Sequence, residues 1–320
     1  MTAPNRPKIV LILVGPTAVG KTRMGTLIAE KLPVEIVSAD SRQVFQYMDI
    51  GTAKPSKEIL RLIPHHFIDI LKPDEHYSAG IFGSQARKVI DEIFYRKKVP
   101  LVVGGSGLYI KSLLSGFFGE DVRDEKIRES LHKRLETEGS DSLHRDLAKV
   151  DPEAAQKIHP QNSQRLVRAL EVYLASGMKI SDLQKRSLPP PSFAVLKFGL
   201  IKNRLKLYQD INDRVERMFQ DGLLAEVAHI LDKGYESNLN SLNTVGYKET
   251  IEYLNGKLDF DECVEQIKRN SRHYAKRQLT WFNADPEIQW LEVETQEDSE
   301  TAAGEIVTSY LRAAGNKSSN

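Results

Sequence analysis

Aliphatic residues fall in two patterns along this chain. Ile9–Val14 is a continuous aliphatic run, as expected of a strand buried on both faces of a parallel sheet. Glu35–Val37 reads as a second strand ending at Ser38-Ala39-Asp40, and Val99–Val103 as a third ending at Gly104-Gly105-Ser106-Gly107. Helical spacing separates them. Met24, Leu27 and Ile28 share one face between Arg23 and about Lys31, and a longer helix is predicted from about Ala79 to Arg96. Strands alternating with helices predict an α/β fold, a doubly wound parallel sheet with its functional loops at the strand C-termini.

The pattern changes near Asp121. No aliphatic strand follows until Ala194–Ile201, and charged helical segments fill the interval (Lys126–Glu138, Ser142–Lys149, Pro152–Ile158, Gln164–Ser176). Residues 122–193 therefore read as a helical insertion, closed by the stiff triple proline Pro189–Pro191, in a core formed by 1–121 and 194–283. Beyond Ile201, Leu207, Ile211, Val215 and Met218, then Leu224, Val227 and Leu231, make a stripe at helical spacing that predicts core contact. Residues 284–320 read as an acidic tail, frayed over Ala313–Asn320.

Charge sharpens this division. The 320 residues carry a formal net charge of +1, yet Ala284–Leu311 holds eight acids and no base. Residues 1–283 consequently carry 43 basic against 36 acidic side chains, with eleven bases against five acids in Arg165–Arg217 and five bases without an acid in Gln266–Phe282. On charge alone this footprint suits either a polyanion or solvated helix faces. No apolar run approaches the ~20 residues that span a bilayer, and Ile9–Val14 is too short and glycine-bounded for a signal peptide, so a cytoplasmic protein without membrane contact is expected. The single cysteine, Cys263, excludes an internal disulfide framework and a Cys-rich zinc module. His65-His66 invites a metal site, but adjacent side chains point apart and no further ligands complete a tetrahedron, so a structural role is expected.

The chemistry starts at Gly15-Pro16-Thr17-Ala18-Val19-Gly20-Lys21-Thr22, which fits G-x-x-x-x-G-K-[ST] with a strand before it and a helix after it. Glycines let backbone N–H groups close around an anion at the positive end of a helix. Lys21 adds a point charge, and the Thr22 hydroxyl suits Mg²⁺ or a phosphate oxygen. A nucleotide hydrolase places an acid at the end of a later strand to hold water on Mg²⁺, but here Pro100–Val103 runs into glycines. Asp40 instead ends the second strand beside the loop. It fits two readings equally from spacing: a solvated acid or Mg²⁺ ligand, or a general base for an incoming nucleophile.

The strings GPTAVGKT, VSADSRQVFQYMDIGTAKP, PHHFIDI, PLVVGGSGLY, DPEAAQKIHPQNSQRLVRALEVY, INDRVERMFQDGLLAEV, NTVGYKE and YAKRQLTWF run collinearly over about residues 8–283. Together they resemble the tRNA dimethylallyltransferase (tRNA isopentenyl transferase) family, in its bacterial form without a C-terminal zinc finger. The resemblance implies a P-loop core and a helical insertion that grips the anticodon stem-loop. It implies transfer of a dimethylallyl group from dimethylallyl diphosphate, with Mg²⁺, to the N6 amine of the adenosine 3′ of the anticodon. It implies Gly15–Thr22 on the diphosphate, Thr22 on the metal, Asp40 as catalytic base and Arg214, rather than its neighbour Arg217, on the diphosphate. For tRNA it implies Asp40, Ser41, Arg42, Gln43, Ser106, Arg128, Gln164, Arg165, Leu166, Val167 and Arg168. Lys276, Arg277, Gln278 and Trp281 add charge and an aromatic surface, although packing is the simpler role for Trp281. Ser106 departs from the family, where threonine is usual. Nothing demands a second copy, so a monomer is expected. An isopentenyltransferase acting on free AMP, ADP or ATP shares the loop and the aspartate but needs no such basic insertion, and a small-molecule P-loop kinase is a further alternative.

Overall fold

The computed structural model describes residues 7–116, 122–185 and 190–315. Six strands form one fully parallel sheet: β1 (Ile9–Val14), β2 (Val34–Ser38), β3 (His65–His66), β4 (Val99–Gly104), β5 (Ala194–Ile201) and β6 (Gln289–Glu292), in the order β3-β2-β4-β1-β5-β6. β1 lies between β4 and β5, with Leu11 opposite both Leu101 and Leu196. Its six residues are all buried, as the unbroken aliphatic run predicts. The chain leaves β1 for β2, which sits on the far side of β4. The crevice outside the carboxyl ends of β1 and β4 is therefore a topological switch point.

The helices are α1 (Lys21–Ala29), α2 (Lys57–Leu62), α3 (Ala79–Tyr95), α4 (Gly107–Ser115), α5 (Glu125–Glu138), α6 (Ser140–Val150) and α7 (Pro152–Lys157). There follow α8 (Ser163–Ser176), α9 (Ile180–Lys185), α10 (Arg204–Gln220), α11 (Leu223–Asp232), α12 (Tyr247–Leu254), α13 (Phe260–Phe282) and α14 (Gln296–Ala313). None is long and apolar enough to cross a membrane among the described residues.

The chain divides into two compact units. One comprises Met1–His76, Ala86–Ile110 and Ser192–Asn320; the other comprises Tyr77–Gln85 and Lys111–Pro191. The second has its own core, with Leu131, Leu143, Leu147, Leu166, Val167 and Leu170 buried among α5, α6 and α8. Asp124, Asp151 and Asn162 cap α5, α7 and α8 by accepting N–H groups of their first turns, which sets where these short helices begin. Unlike the predicted 122–193 insertion, this unit also takes the first residues of α3. Gly83 explains it: a Cβ there would lie 2.3 Å from Ser112 Oγ, so α3 meets α4 backbone to side chain. Pro189 and the change of pattern at Asp121 lie outside the described residues.

Two expectations change. The segment read as an acidic tail is part of the main core. β6 pairs with β5, and Ala302, Ala303, Ile306 and Val307 of α14 are buried with Met24 and Ile28 of α1. Glu297, Asp298, Glu300 and Glu305 lie off the buried face of this amphipathic helix, which a charge count does not distinguish from a solvated tail; only 316–320 of the segment lie outside the described residues. In α11 the buried set is Leu223, Val227 and Ile230, one position off the predicted Leu224 and Leu231, because Gly222 starts a new helix and resets the phase. The histidine pair is structural. His66 Nε2 lies 2.8 Å from Glu35 Oε2, Arg96 closes on the same carboxylate at 2.9 and 2.8 Å, and no group of three metal-ligating side chains occurs among the described residues. Cys263 is buried, with its thiol pushed up to about 11 by burial.

Ile306→Ala should cost about 2–5 kcal/mol in urea unfolding, whereas a solvated tail would lose nothing. The hydrogen bond from Arg96 holds Glu35 below the ordinary glutamate value of 4.5. Its contribution is thus fully present above that value and lost as pH falls through the lower folded value. The stability difference between wild type and Glu35→Gln is expected to be full at neutral pH and to close in acid, which denaturation at a series of pH values measures.

Candidate active site

Three loops meet at the carboxyl edge of the sheet, one each from β1, β2 and β4. The loop after β1 enters α1 through Gly20, which sits at φ 101° with no side-chain cap on the helix. That leaves the first N–H groups of α1 directed at an anion site, and glycine takes the left-handed conformation without strain. Lys21 Nζ donates to the carbonyls of Gly15 (2.9 Å) and Pro16 (2.7 Å). Burial pushes the Lys21 ammonium down to about 7, against the opposing pull of Asp40 and with a smaller push from Arg214. Arg214 reaches in from α10, its Nη1 donating to Thr17 Oγ1 at 3.1 Å. Arg217 is exposed and, among the described residues, bonds back to the Asp213 carbonyl. The two arginines, three positions apart on one helix, thus differ in which one faces the loop. Thr22 is exposed at the start of α1, and its hydroxyl makes no hydrogen bond among the described residues. A hard oxygen donor beside an anion cradle suits Mg²⁺. With no cage of three protein ligands among the described residues, such an ion would take most of its oxygens from substrate and water.

Asp40 begins a turn in which its own Oδ1 accepts the N–H groups of Arg42 (2.8 Å) and Gln43 (3.3 Å). Its Oδ2 has no hydrogen-bond partner among the described residues. The intervening N–H, that of Ser41, goes instead to Ser106 Oγ at 3.0 Å. The phenol of Tyr274, on α13, is pushed up to about 12 by burial first and by the Asp40 charge second. Arg42 runs to the Asn240 carbonyl (2.7 Å), and Gln43 ties Ser38 to the carbonyls of Thr52 and Ala53.

The third loop shows why it is built of glycine rather than an acid. A Cβ on Gly104 would lie 2.1 Å from the Ala39 carbonyl oxygen, one on Gly105 2.0 Å from Gln278 Nε2, and one on Gly107 2.1 Å from Trp281 Nε1. The sequence places Gln278 among the tRNA contacts, and the structure corrects this. Its side chain is buried, with Oε1 accepting the Thr17 N–H (2.8 Å) and Nε2 donating to the Gly105 carbonyl (3.0 Å). It is the bridge between the phosphate loop and the β4 loop. Trp281 is 42% exposed, its indole edge against Gly107, so it is neither core nor free of packing. Lys276 and Arg277 are exposed on the same helix, Arg277 lying over the Tyr274 ring at 5.7 Å.

The other expected tRNA contacts lie in the helical unit. Gln164 and Arg165 are exposed on the first turn of α8. Leu166 and Val167 differ from the exposed contacts expected: both side chains are fully buried in the unit's core and seat the helix. Arg168 donates to the Val122 carbonyl (2.9 Å) and to the buried Glu171 (2.8 Å), and Arg128 lies 3.7 Å from the same carboxylate. Sequence reasoning missed Glu226 and Tyr247. Glu226 accepts the N–H groups of Asp49 (2.9 Å), Ile50 (2.7 Å) and Gly51 (3.2 Å), and the Tyr247 hydroxyl at 2.5 Å. The signal was the pairing of G-T-A-K-P with N-T-V-G-Y-K-E: a Cβ on Gly51 would lie 2.4 Å from the Tyr247 ring.

A family model described as IPP transferase matches residues 43–285. The chain belongs to the IPP transferase family. It is 46% identical over 307 residues to a tRNA dimethylallyltransferase of Pelotomaculum thermopropionicum, covering 96% of this chain and 98% of the relative. It is 48% identical over 271 residues to the corresponding enzyme of Thermotoga neapolitana, covering 85% and 88%. Among solved structures, the full-length tRNA isopentenylpyrophosphate transferase of Bacillus halodurans superposes with a TM-score of 0.71 at 38% identity, over 97% of this chain and 98% of that one. A eukaryotic dimethylallyltransferase acting on tRNA gives 0.78 at 27% identity, over 98% and 81%.

Replacing Gln278 by leucine strands the Thr17 N–H and the Gly105 carbonyl. A loss of about 1–3 kcal/mol is expected in urea unfolding, together with faster hydrogen exchange at the Thr17 amide.

Proposed function

We propose that this chain transfers the dimethylallyl group of dimethylallyl diphosphate to the N6 amine of the adenosine 3′ of the anticodon in tRNA, releasing diphosphate. The observation that carries this reading is the pairing of a cationic cradle with a carboxylate oxygen free to take a proton. Lys21 and Arg214 converge on the loop Gly15–Thr22, and Asp40 presents its open Oδ2 from the loop after β2.

The allylic C–O bond breaks as diphosphate leaves, and the charge that grows on its oxygens is stabilised by Lys21, Arg214 and the first N–H groups of α1. Mg²⁺, when bound at Thr22, supplies further neutralisation of those oxygens. The adenine amine is a weak nucleophile because its lone pair is delocalised into the ring. Asp40 Oδ2 accepts the amine proton as the new C–N bond forms, a contribution worth roughly 10²–10⁴ in rate. No water need be activated, which is consistent with β4 ending in glycines rather than in an acid.

The target base must be splayed out of its loop to reach the cradle. Ser41, Arg42, Gln43 and Ser106 surround the place where it would arrive. Gln164 and Arg165 of the helical unit, with Lys276 and Arg277, supply contacts for the RNA backbone, and Arg128 and Arg168, which already lie against Glu171, add only their remaining charge. The chain acts as a monomer, in the cytoplasm where its RNA substrate is found.

Incubation with dimethylallyl diphosphate, Mg²⁺ and either total tRNA or AMP, followed by nucleoside mass spectrometry, is expected to show isopentenyladenosine in the tRNA arm alone; product from AMP alone would replace this reading with a free-nucleotide enzyme. Asp40→Ala should lower the single-turnover rate by at least about 10²-fold while leaving the Kd for tRNA nearly unchanged. Arg165→Ala should weaken tRNA binding and reduce the salt slope of log K by about one, as filter binding across a salt series measures.

A further inference from the structure

Glu226 of α11 meets four hydrogen-bond donors and uses both carboxylate oxygens to do so. Oε2 accepts the N–H groups of Asp49 (2.9 Å) and Ile50 (2.7 Å), and Oε1 accepts that of Gly51 (3.2 Å) and the hydroxyl of the buried Tyr247 (2.5 Å). Such a set is satisfied by a group that only accepts and has several lone pairs. The segment so held is strained on either side. Tyr47 and Ala53 take the left-handed conformation, at φ 68° and 48°, without being glycine. Backbone of this kind persists only where its surroundings fix it, and it clusters at functional sites. Ala53 connects the segment to the site. Its carbonyl and that of Thr52 accept from Gln43 Nε2 at 3.2 and 3.3 Å, and Gln43 Oε1 accepts the Ser38 hydroxyl at 3.2 Å. Gln43 in turn gives its backbone N–H to Asp40 Oδ1 at 3.3 Å.

From this chain of hydrogen bonds we propose that Glu226 is a positioning residue: it holds the 49–53 turn in the conformation that presents the Thr52 and Ala53 carbonyls to Gln43, and so fixes Gln43 beside Asp40. The inference rests on the reading of Asp40 as the base. With both carbonyls on its Nε2, the Gln43 carboxamide is held in one orientation. Freed from them, its two N–H donors lie within one turn of the Asp40 carboxylate. A further donor on that group would occupy the oxygen that takes the proton and make the carboxylate a weaker base, since hydrogen bonds to the charged form favour it. Glu226 acts through the turn and Gln43 rather than by contact with the substrate. Gly51 and Tyr247 belong to the same device. A Cβ on Gly51 would lie 2.4 Å from the Tyr247 ring, so residue 51 has no side chain and the phenol reaches Glu226.

The test is single-turnover transfer from dimethylallyl diphosphate to an anticodon stem-loop RNA, with the Kd of each substrate and hydrogen exchange at the Gln43 amide measured on the same proteins. Glu226→Gln keeps the shape of the side chain and sets an NH₂ group against donors. It is expected to lower the single-turnover rate by roughly 10-fold or more, as misplacement near a catalytic group does. Both Kd values should stay within about twofold of wild type, and exchange should quicken at the Gln43 N–H as well as at 49–51. The double variant Glu226→Gln/Gln43→Ala should be no slower than Gln43→Ala alone, because the two groups act in series. A Glu226→Gln rate within about twofold of wild type overturns the proposal. So does a Gln43 amide whose exchange is unmoved while 49–51 open, which confines Glu226 to its own turn, and so does a double variant whose losses multiply. If Glu226→Gln does not fold, Tyr247→Phe, which removes one of the four bonds, carries the test: a slower rate in step with faster exchange at Gln43 is expected, and either change without the other overturns the proposal. Asp40→Asn in the same series separates the two readings. If it retains transfer, the base assignment falls and this inference with it, whereas a dead Asp40→Asn beside an unimpaired Glu226→Gln removes only the positioning role.

Discussion

The Gln278 carboxamide carries one constraint on which the rest of the site depends. It joins the Thr17 N–H of the phosphate loop to the Gly105 carbonyl of the β4 loop through a buried side chain, so that losing it costs both groups their partner. The loops come close enough for this only because Gly104 and Gly105 leave no Cβ between β4 and its neighbours. With the β1 and β4 loops fixed to each other, Ser106 stands where it meets Ser41, and the β2 loop with Asp40 is fixed in turn. One amide and two missing side chains thus set the distance between the anion cradle and the carboxylate.

The electrostatics of the cradle follow from burial. Lys21 and Arg214 are both held below their ordinary proton affinities, in each case chiefly by desolvation and in each case opposed by Asp40. Positive charge brought together out of water is costly when nothing balances it. In the protein alone, Lys21 commits donors to the carbonyls of Gly15 and Pro16, and Arg214 commits one to Thr17. Under the proposed function, a diphosphate entering the loop would replace these modest partners with full negative charge, so that its binding would be favoured by relief of that cost as well as by new contacts. Under the same proposal, an acid at the end of β4 would cancel the field that a leaving diphosphate needs.

Two kinds of basic residue are easily confused among candidate RNA contacts. Arg165 is exposed and makes no salt bridge among the described residues. Arg128 and Arg168 both lie against the buried Glu171, so part of their charge is already committed inside the helical unit. An exposed arginine contributes to the salt-dependent attraction of RNA, while a paired one chiefly holds its helix in place.

The sequence by itself determined the parallel strands, the anion loop, the aspartate beside it and the family. Each of these is local: an aliphatic run, a glycine pattern and a catalytic string keep their meaning wherever the chain goes. It did not determine the fate of 284–315, because a helix with acids on one side and Ala302, Ala303 and Ile306 on the other has the same charge count as a solvated tail. Nor did helical spacing separate Arg214 from Arg217, or Gln278 from its exposed neighbours Lys276 and Arg277. A helix turns by about 100° per residue, so side chains a few positions apart face different media, and which medium each one meets is decided by what packs against the helix. Glu226 and Tyr247 were hidden for the same reason. Their partners lie far along the chain, and only the folded structure brings one carboxylate to three backbone N–H groups and a phenol.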